Sequence, residues 1–158
     1  MREFDLYEPM CKWLDNYIRD RYKGYQVNVR DTHSITLEKA LKDIGLTNDL
    51  ATGIDIEIDV LGVAKRNTDY KLFFIEAKIN PLTLKDLGQL WAYCKLIDPE
   101  EAFLMSPRGL GSLDKILKAY SREDLLAFGT GKKIKMMKIA KWKVDEGAPD
   151  LLNMVPRI

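Results

Sequence analysis

The stretch LFFIEAKINP, from Leu72 to Pro81, decides how this chain is read. It is a run of β-forming apolar residues that carries a glutamate and a lysine two places apart. Strand side chains alternate between faces, so Phe73, Ile75, Ala77 and Ile79 fall on one face and Leu72, Phe74, Glu76 and Lys78 on the other. Both charges therefore share a face that is otherwise apolar. The acid-any-lysine tripeptide also occurs as Asp69-Tyr70-Lys71, but that copy begins in the polar stretch KRNTD, which reads as a turn. An ion pair at a strand end explains such a tripeptide as readily as chemistry does, and the neighbouring segments have to separate the two.

Upstream, GIDIEIDVLGV sets Ile54, Ile56, Ile58 and Val60 against Asp55, Glu57 and Asp59, which predicts a strand with an acidic face. AKRNTDY then turns the chain into the Leu72 strand, and pairing the two as a hairpin is the economical arrangement. Downstream, Thr83 and Asp86 have the spacing of a capping box; Leu87, Leu90, Trp91, Cys94 and Ile97 give the following helix a core face, and Pro99 follows its end. EAFLMSP predicts a short strand. Toward the N-terminus, apolar residues from Leu6 to Tyr22 recur at helical spacing, with a start near Glu8 and Pro9 in the first turn. YQVNVRD predicts a strand, and a brief helix from Leu37 to Ile44 stops at Gly45. Past Ser112, a cap candidate, SLDKILKAYSREDLLAF has the pattern of one helix, broken by Gly129 to Gly131. KIKMMKIAKWKV predicts one basic strand, followed by a proline-containing tail with no regular pattern. Elements in this order predict an α/β fold, a mixed β-sheet flanked by helices on both sides.

With 158 residues, 46% of them hydrophobic, the expectation is one domain over 1–158, with a basic C-terminal strand and tail at 132–158. A formal net charge of +1 names no partner. Cys11 and Cys94 fit no zinc spacing and are expected as free thiols in a reducing compartment. No apolar run approaches the ~20 residues that span a bilayer, and MREFDLYEPM lacks the apolar core of a signal peptide. The expectation is a cytoplasmic protein with no membrane partner.

The predicted hairpin offers Asp59 on one strand and Glu76 with Lys78 on the next. Carboxylates packed together repel, and one tends to keep its proton unless a cation joins them. Mg2+ takes oxygen ligands and is satisfied by one or two carboxylates, a carbonyl and waters. Such an ion beside a lysine suits phosphodiester hydrolysis by metal-activated water, with Lys78 orienting the water or stabilising developing negative charge.

Asp59-Val60-Leu61-Gly62 followed by Glu76-Ala77-Lys78, and then by Gln89-Leu90-Trp91-Ala92-Tyr93 on the next helix, resembles the PD-(D/E)xK nuclease superfamily and its RecB-like, QxxxY branch. The resemblance runs from Glu8 to Ser106, about two-thirds of the chain. It implies a restriction-endonuclease-like core of helix, three strands, helix and strand (αβββαβ). Asp59 and Glu76 would be metal ligands, Ala77 a ligand through its carbonyl oxygen, and Lys78 the catalytic lysine. Gln89 and Tyr93, four apart on one helical face, would steady the site or contact nucleic acid. An acid on the first helix completes many such sites, and Glu8 is the candidate. The family's proline before the first acid is replaced by Ile58. By this resemblance the chain is expected to be a Mg2+-dependent deoxyribonuclease, with Mn2+ as a substitute, exonuclease and endonuclease both open; 158 residues leave little room for an attached specificity domain, so a homodimer or a larger complex is expected to shape substrate choice. The alternative is a non-catalytic nuclease-fold subunit that binds nucleic acid or serves assembly.

Other residues carry two readings each. Asp55 and Glu57 share the predicted face of Asp59 and are read as solvated. Gln89 and Tyr93 also fit the polar shoulder of an amphipathic helix. His33, the lone histidine, reads as a loop residue, although some RecB-like nucleases place a histidine ligand upstream of the aspartate. Lys132, Lys133, Lys135, Lys138, Lys141 and Lys143, interleaved with Met136, Met137 and Trp142, suit a phosphate backbone. They equally suit an edge strand guarded against aggregation.

Overall fold

In a computed structural model, which describes residues 1–131 and 133–157, the Leu72 stretch is an inner strand of a six-stranded mixed sheet. Its near-continuous apolar run is the signature of a strand covered on both faces, and every residue from Leu72 to Ala77, Glu76 included, is buried. Helix α1 (Tyr7–Arg21) leads into β1 (Gln26–Asp31), α2 (Leu37–Lys42), β2 (Val60–Arg66), β3 (Asp69–Ala77), α3 (Leu84–Ile97) and β4 (Glu101–Ser106). After β4 come a hairpin of β5 (Ala127–Thr130) and β6 (Lys133–Met136), then β7 (Lys138–Lys143) and β8 (Ala148–Pro149). The sheet order is β1-β2-β3-β4-β7-β8, with β3, β4 and β7 mutually parallel and the remaining pairs antiparallel.

The β2–β3 register runs from Arg66 opposite Asp69 to Val60 opposite Ile75. Asn67 takes the left-handed conformation at the turn (φ 56°), which asparagine tolerates better than most residues. Asp69-Tyr70-Lys71 therefore belongs to β3 and not to the turn, because a two-residue loop leaves those residues free to pair.

Each face of the sheet is covered by helix, as an α/β architecture requires. On one side Met10, Leu14 and Ile18 of α1 pack on Val60, Ala64, Phe73, Ile75, Phe103 and Trp142. On the other, α2 and α3 cover Leu61, Val63, Phe74, Leu104 and Ile139. Gly62 lets α1 settle: a Cβ there would stand 2.8 Å from Ile18 Cδ1 and 3.0 Å from Leu14 Cδ2. The α3 N-terminus carries the expected capping box, with Asp86 N–H donating to Thr83 Oγ1 and Thr83 N–H to Asp86 Oδ2.

Three expected elements differ. The alternating segment 54–58 is not a strand, because β1 and β3 end before they can pair with it. Its carbonyls go elsewhere instead: Leu37 N–H donates to Ile56 O (2.7 Å) and the Thr32 hydroxyl to Ile58 O. Ile56 and Ile58 are buried while Asp55 and Glu57 face solvent, so the alternation reflects burial without a ladder. The long helix expected after Ser112 is a short helical turn and a π-turn (Lys115–Ala119), capped by Gly111 and ended by Ser121 at φ 53°. Leu113, Leu117, Leu126 and Phe128 are nonetheless all buried, in separate pieces. KIKMMKIAKWKV divides at Met137 into β6 and β7, which lie in different sheets. The tail contributes β8 and a bridge between Ile139 and Val155; Lys132 and Ile158 lie outside the described residues. Among those residues, no helix is long and apolar enough to cross a membrane.

Candidate functional site

Register places the two acids. Asp59 and Glu76 lie one step beyond the Val60–Ile75 pair, directly across from each other where β2 begins and β3 ends. Asp59 N–H donates to Glu76 Oε1 (3.3 Å) and Ala77 N–H donates to Asp59 Oδ2 (2.8 Å), so each carboxylate holds the backbone of the opposing strand. From the other side, Thr32 N–H donates to Asp59 O (3.0 Å) and ties Asp59 to the end of β1. Lys78 continues β3 through its N–H to Met105 O (3.0 Å). Alternation sets its side chain on the face of Glu76.

Glu76 is 5% exposed and Asp59 is half-buried. Burial pushes the Asp59 carboxyl up to about 6, against the pull of the Ala77 N–H, which favours the charged form. Burial also pushes Glu76 up, to about 8, and the adjacent Asp59 charge adds to that rise. Lys78 opposes both shifts through its positive charge. No ion pair within 4.0 Å engages Asp59, Glu76 or Lys78 among the described residues. A buried and a half-buried carboxylate side by side repel, and a divalent ion or a retained proton relieves that repulsion.

The chain N-terminus closes one side of the site with residues that the sequence reading passed over. A 3-10 turn, Glu3–Leu6, precedes α1 and brings the Glu3 charge close enough to raise both Asp59 and Glu76. Tyr7 donates its hydroxyl to Glu3 Oε2 (2.9 Å) and stacks on His33, with ring centroids 4.7 Å apart. His33 in turn holds Asp31 through Nδ1 (2.5 Å), and its charge lowers the Asp59 pKa. The loop histidine is therefore part of the Asp59 surroundings. Glu8 hydrogen-bonds neither acid: its side chain is 82% exposed, faces Lys12 (3.6 Å) and lines a cleft of about 810 Å³ whose walls include Tyr7 and Asp31. The helix begins a residue earlier than Glu8, and it is the turn before the helix that points an acid inward. A signal was present in the three acids of REFDLYE, but helical periodicity starts too late to rank Glu3 among them.

On α3, which covers the Glu76 face, Gln89 Nε2 donates to Tyr93 Oη (3.3 Å). Neither side chain hydrogen-bonds Asp59, Glu76 or Lys78, so the structure pairs them with each other and leaves them outside the carboxylate contacts. Asp55 and Glu57 point to solvent. The C-terminal lysines do not form one stripe: Lys135 is held by Asp98 Oδ1 (2.8 Å) and Pro99 O (2.7 Å), Lys138 by Glu101 (2.8 Å), Lys133 by Glu100 (3.7 Å) and Lys143 by Glu146 (3.3 Å). Lys132 is outside the described residues. Cys11 and Cys94 are both free.

Among the described residues, no three His, Cys, Asp or Glu side chains stand close enough to hold one metal ion. The donors that do converge are the Asp59 and Glu76 carboxylates, with the Ala77 backbone beside them. That set matches what a hard, largely hydrated cation such as Mg2+ accepts, since it keeps several waters and takes one or two carboxylates. Comparison with protein-family models, curated proteins and solved structures returns no match for this chain.

Proposed function

We propose that the chain is a metal-dependent nuclease of the PD-(D/E)xK type, cleaving phosphodiester bonds in nucleic acid, with DNA the expected substrate by family resemblance. The observation that carries this reading is the direct opposition of Asp59 and Glu76 at adjoining strand ends, interlocked at 3.3 and 2.8 Å, with Lys78 on the same face and its charge felt at both acids. The element order α1, β1, β2, β3, α3, β4, with α2 inserted, supports the restriction-endonuclease-like core that the motifs imply.

In this reading Asp59 and Glu76 hold Mg2+ or Mn2+, joined by the Ala77 carbonyl. When bound, the ion supplies a Lewis acid for the phosphate and a water of lowered pKa. Lys78 places a positive charge where negative charge grows on the phosphate, in a site whose burial makes that charge count for more than it would in water. The Ala77 N–H fixes the Asp59 carboxylate, and Thr32 fixes its backbone, so the acids are held before substrate arrives.

A second reading has an observation of its own. Each carboxylate accepts a backbone N–H of the facing strand, which is also what a structural clasp at a hairpin end would do. On that reading the chain is a non-catalytic nucleic-acid-binding or assembly subunit. A cleavage assay separates the two: labelled linear, circular, single-stranded and branched DNA with Mg2+, Mn2+ or EDTA, wild type against Glu76→Ala and Lys78→Ala. Metal-dependent cleavage that disappears in both variants supports the nuclease. No cleavage of any substrate, with binding indifferent to EDTA, supports the clasp.

A further inference from the structure

The parallel trio β3, β4 and β7 ends on one edge of the sheet, and each strand end presents a cation. Lys78 follows β3. Arg108 follows β4 by two residues and is held there by its N–H to Ser106 Oγ (3.1 Å). Lys141 lies near the end of β7, opposite Ser106. Glu76, Leu104 and Ile139 form one row across the sheet. Lys78, Ser106 and Lys141 form the next row on the same face. Two strand spacings of ~4.8 Å put the lysine backbones about 10 Å apart. Between them Ser106 is buried under the Asn80 carbonyl, to which its hydroxyl donates (2.7 Å), and Arg108 stands exposed on the loop above.

Place, with pairing, sets these three apart. Every other described lysine from 133 to 143 faces a carboxylate, whereas among the described residues Lys141 has none within 4.0 Å; Lys78 and Arg108 share that with other cations of the chain, such as Lys85 and Lys115, but they alone join Lys141 at the carboxyl ends of the parallel strands. Unpaired, solvent-reaching cations at the carboxyl ends of adjacent parallel strands sit where open α/β sheets take their ligands. We propose that this edge is a backbone track. One nucleic-acid strand crosses the carboxyl ends of β3, β4 and β7, with the scissile phosphate at Glu76 and Lys78 and the phosphates to one side held by Arg108 and Lys141. The track rests on the nuclease reading for its direction, since that reading fixes which phosphate meets Lys78. Arg108 and Lys141 are positioning residues. They contact phosphate and not base, so the grip is independent of sequence.

Each phosphate contact to a single strand contributes about 0.7 to the slope of log affinity against log salt. Binding of a labelled single-stranded oligonucleotide, measured across a salt series on a Glu76→Gln background to prevent cleavage, reads that slope directly. Lys141→Ala and Arg108→Ala are each expected to lower it by about 0.7, with Lys141→Arg restoring it. Lys133→Ala, exposed on β6 beside Glu100 at the start of β4 and so away from the strand ends, is the control and is expected to leave it unchanged. In the cleaving enzyme the two track variants raise KM and leave kcat near its starting value. Unchanged slopes in both track variants, or an equal drop in the Lys133 variant, overturn the track. Cleavage is read separately with Glu76 intact. Shifted slopes without cleavage sink the nuclease reading and leave the track, and cleavage with unshifted slopes does the reverse.

Discussion

Replacing Glu76 with glutamine, in protein stripped of divalent ions, should make the fold more stable at neutral pH. The folded chain holds the Glu76 proton up to about pH 8, whereas the ordinary value of 4.5 applies once the chain unfolds. Between those values the folded state binds more protons than the unfolded one, so stability falls as pH rises. The contribution is fully present below 4.5 and is lost on the way to 8. One proton corresponds to about 1.4 kcal/mol per pH unit, so wild type should lose roughly 3 kcal/mol relative to Glu76→Gln between pH 5 and pH 7. Asp59, raised to about 6, adds to the fall in each protein at the acid end of that range, and as a group common to both it drops out of the difference to first order. Urea unfolding of both proteins in EDTA at several pH values measures the difference directly. Differencing against the variant cancels Asp5, Asp43, Asp124 and Asp150, whose lowered pKa values act at more acid pH in both proteins. Parallel pH profiles for the two proteins would refute the claim that Glu76 carries the electrostatic stress. Added Mg2+ should narrow the gap, because it favours the ionised pair.

Other substitutions test the frame around the site. Gly62→Ala places a methyl group 2.8 Å from Ile18 Cδ1 and should cost about 1–3 kcal/mol by overpacking α1 against β2, which thermal unfolding reads. Glu101→Ala removes a buried carboxylate that accepts from Tyr17 (2.5 Å) and Tyr22 (2.7 Å) and pairs with Lys138 (2.8 Å); leaving that lysine unpaired should cost about 3–5 kcal/mol, with little effect on cation binding at the far end of the sheet. Glu8→Gln should leave cleavage unchanged, since its carboxylate faces Lys12 in solvent, and a loss of cleavage would return Glu8 to the site.

The sheet and its flanking helices were legible because their patterns come from burial, which acts on every residue. Leu72–Ala77 is apolar on both faces apart from Glu76 and proves to be covered on both. Thr83 and Asp86 mark a helix start through local hydrogen bonds that need no distant partner. Segments 54–58 and 112–128 show the limit. Alternation or helical spacing records which side chains are buried, and whether a neighbouring strand is present to complete a ladder is settled elsewhere in the chain. The inferred hairpin brought Asp59 and Glu76 near each other, but their direct opposition follows from a two-residue turn at Asn67 and Thr68 that is shorter than the AKRNTDY turn read from the sequence. The surroundings of the pair were less legible. Glu3 reaches it from a 3-10 turn and Tyr7 from the first position of α1, where no hydrophobic period ranks them, and His33, weighed in the sequence as a loop residue or a ligand, reaches it from a loop. The lysines show a further limit: their spacing is visible in the sequence, but their carboxylate partners are 3 to 37 residues away.

Cation binding to the Asp59–Glu76 pair tests the central claim most directly. Calorimetric titration of Mn2+ into wild type and Glu76→Gln at pH 7, in two buffers of different ionisation enthalpy, reports both affinity and protons released. The account predicts binding by wild type with release of about one proton, since a pair that shares a proton must surrender it to the ion, and loss of both signals in the variant. Absence of binding to wild type, or binding that Glu76→Gln leaves intact, would contradict it.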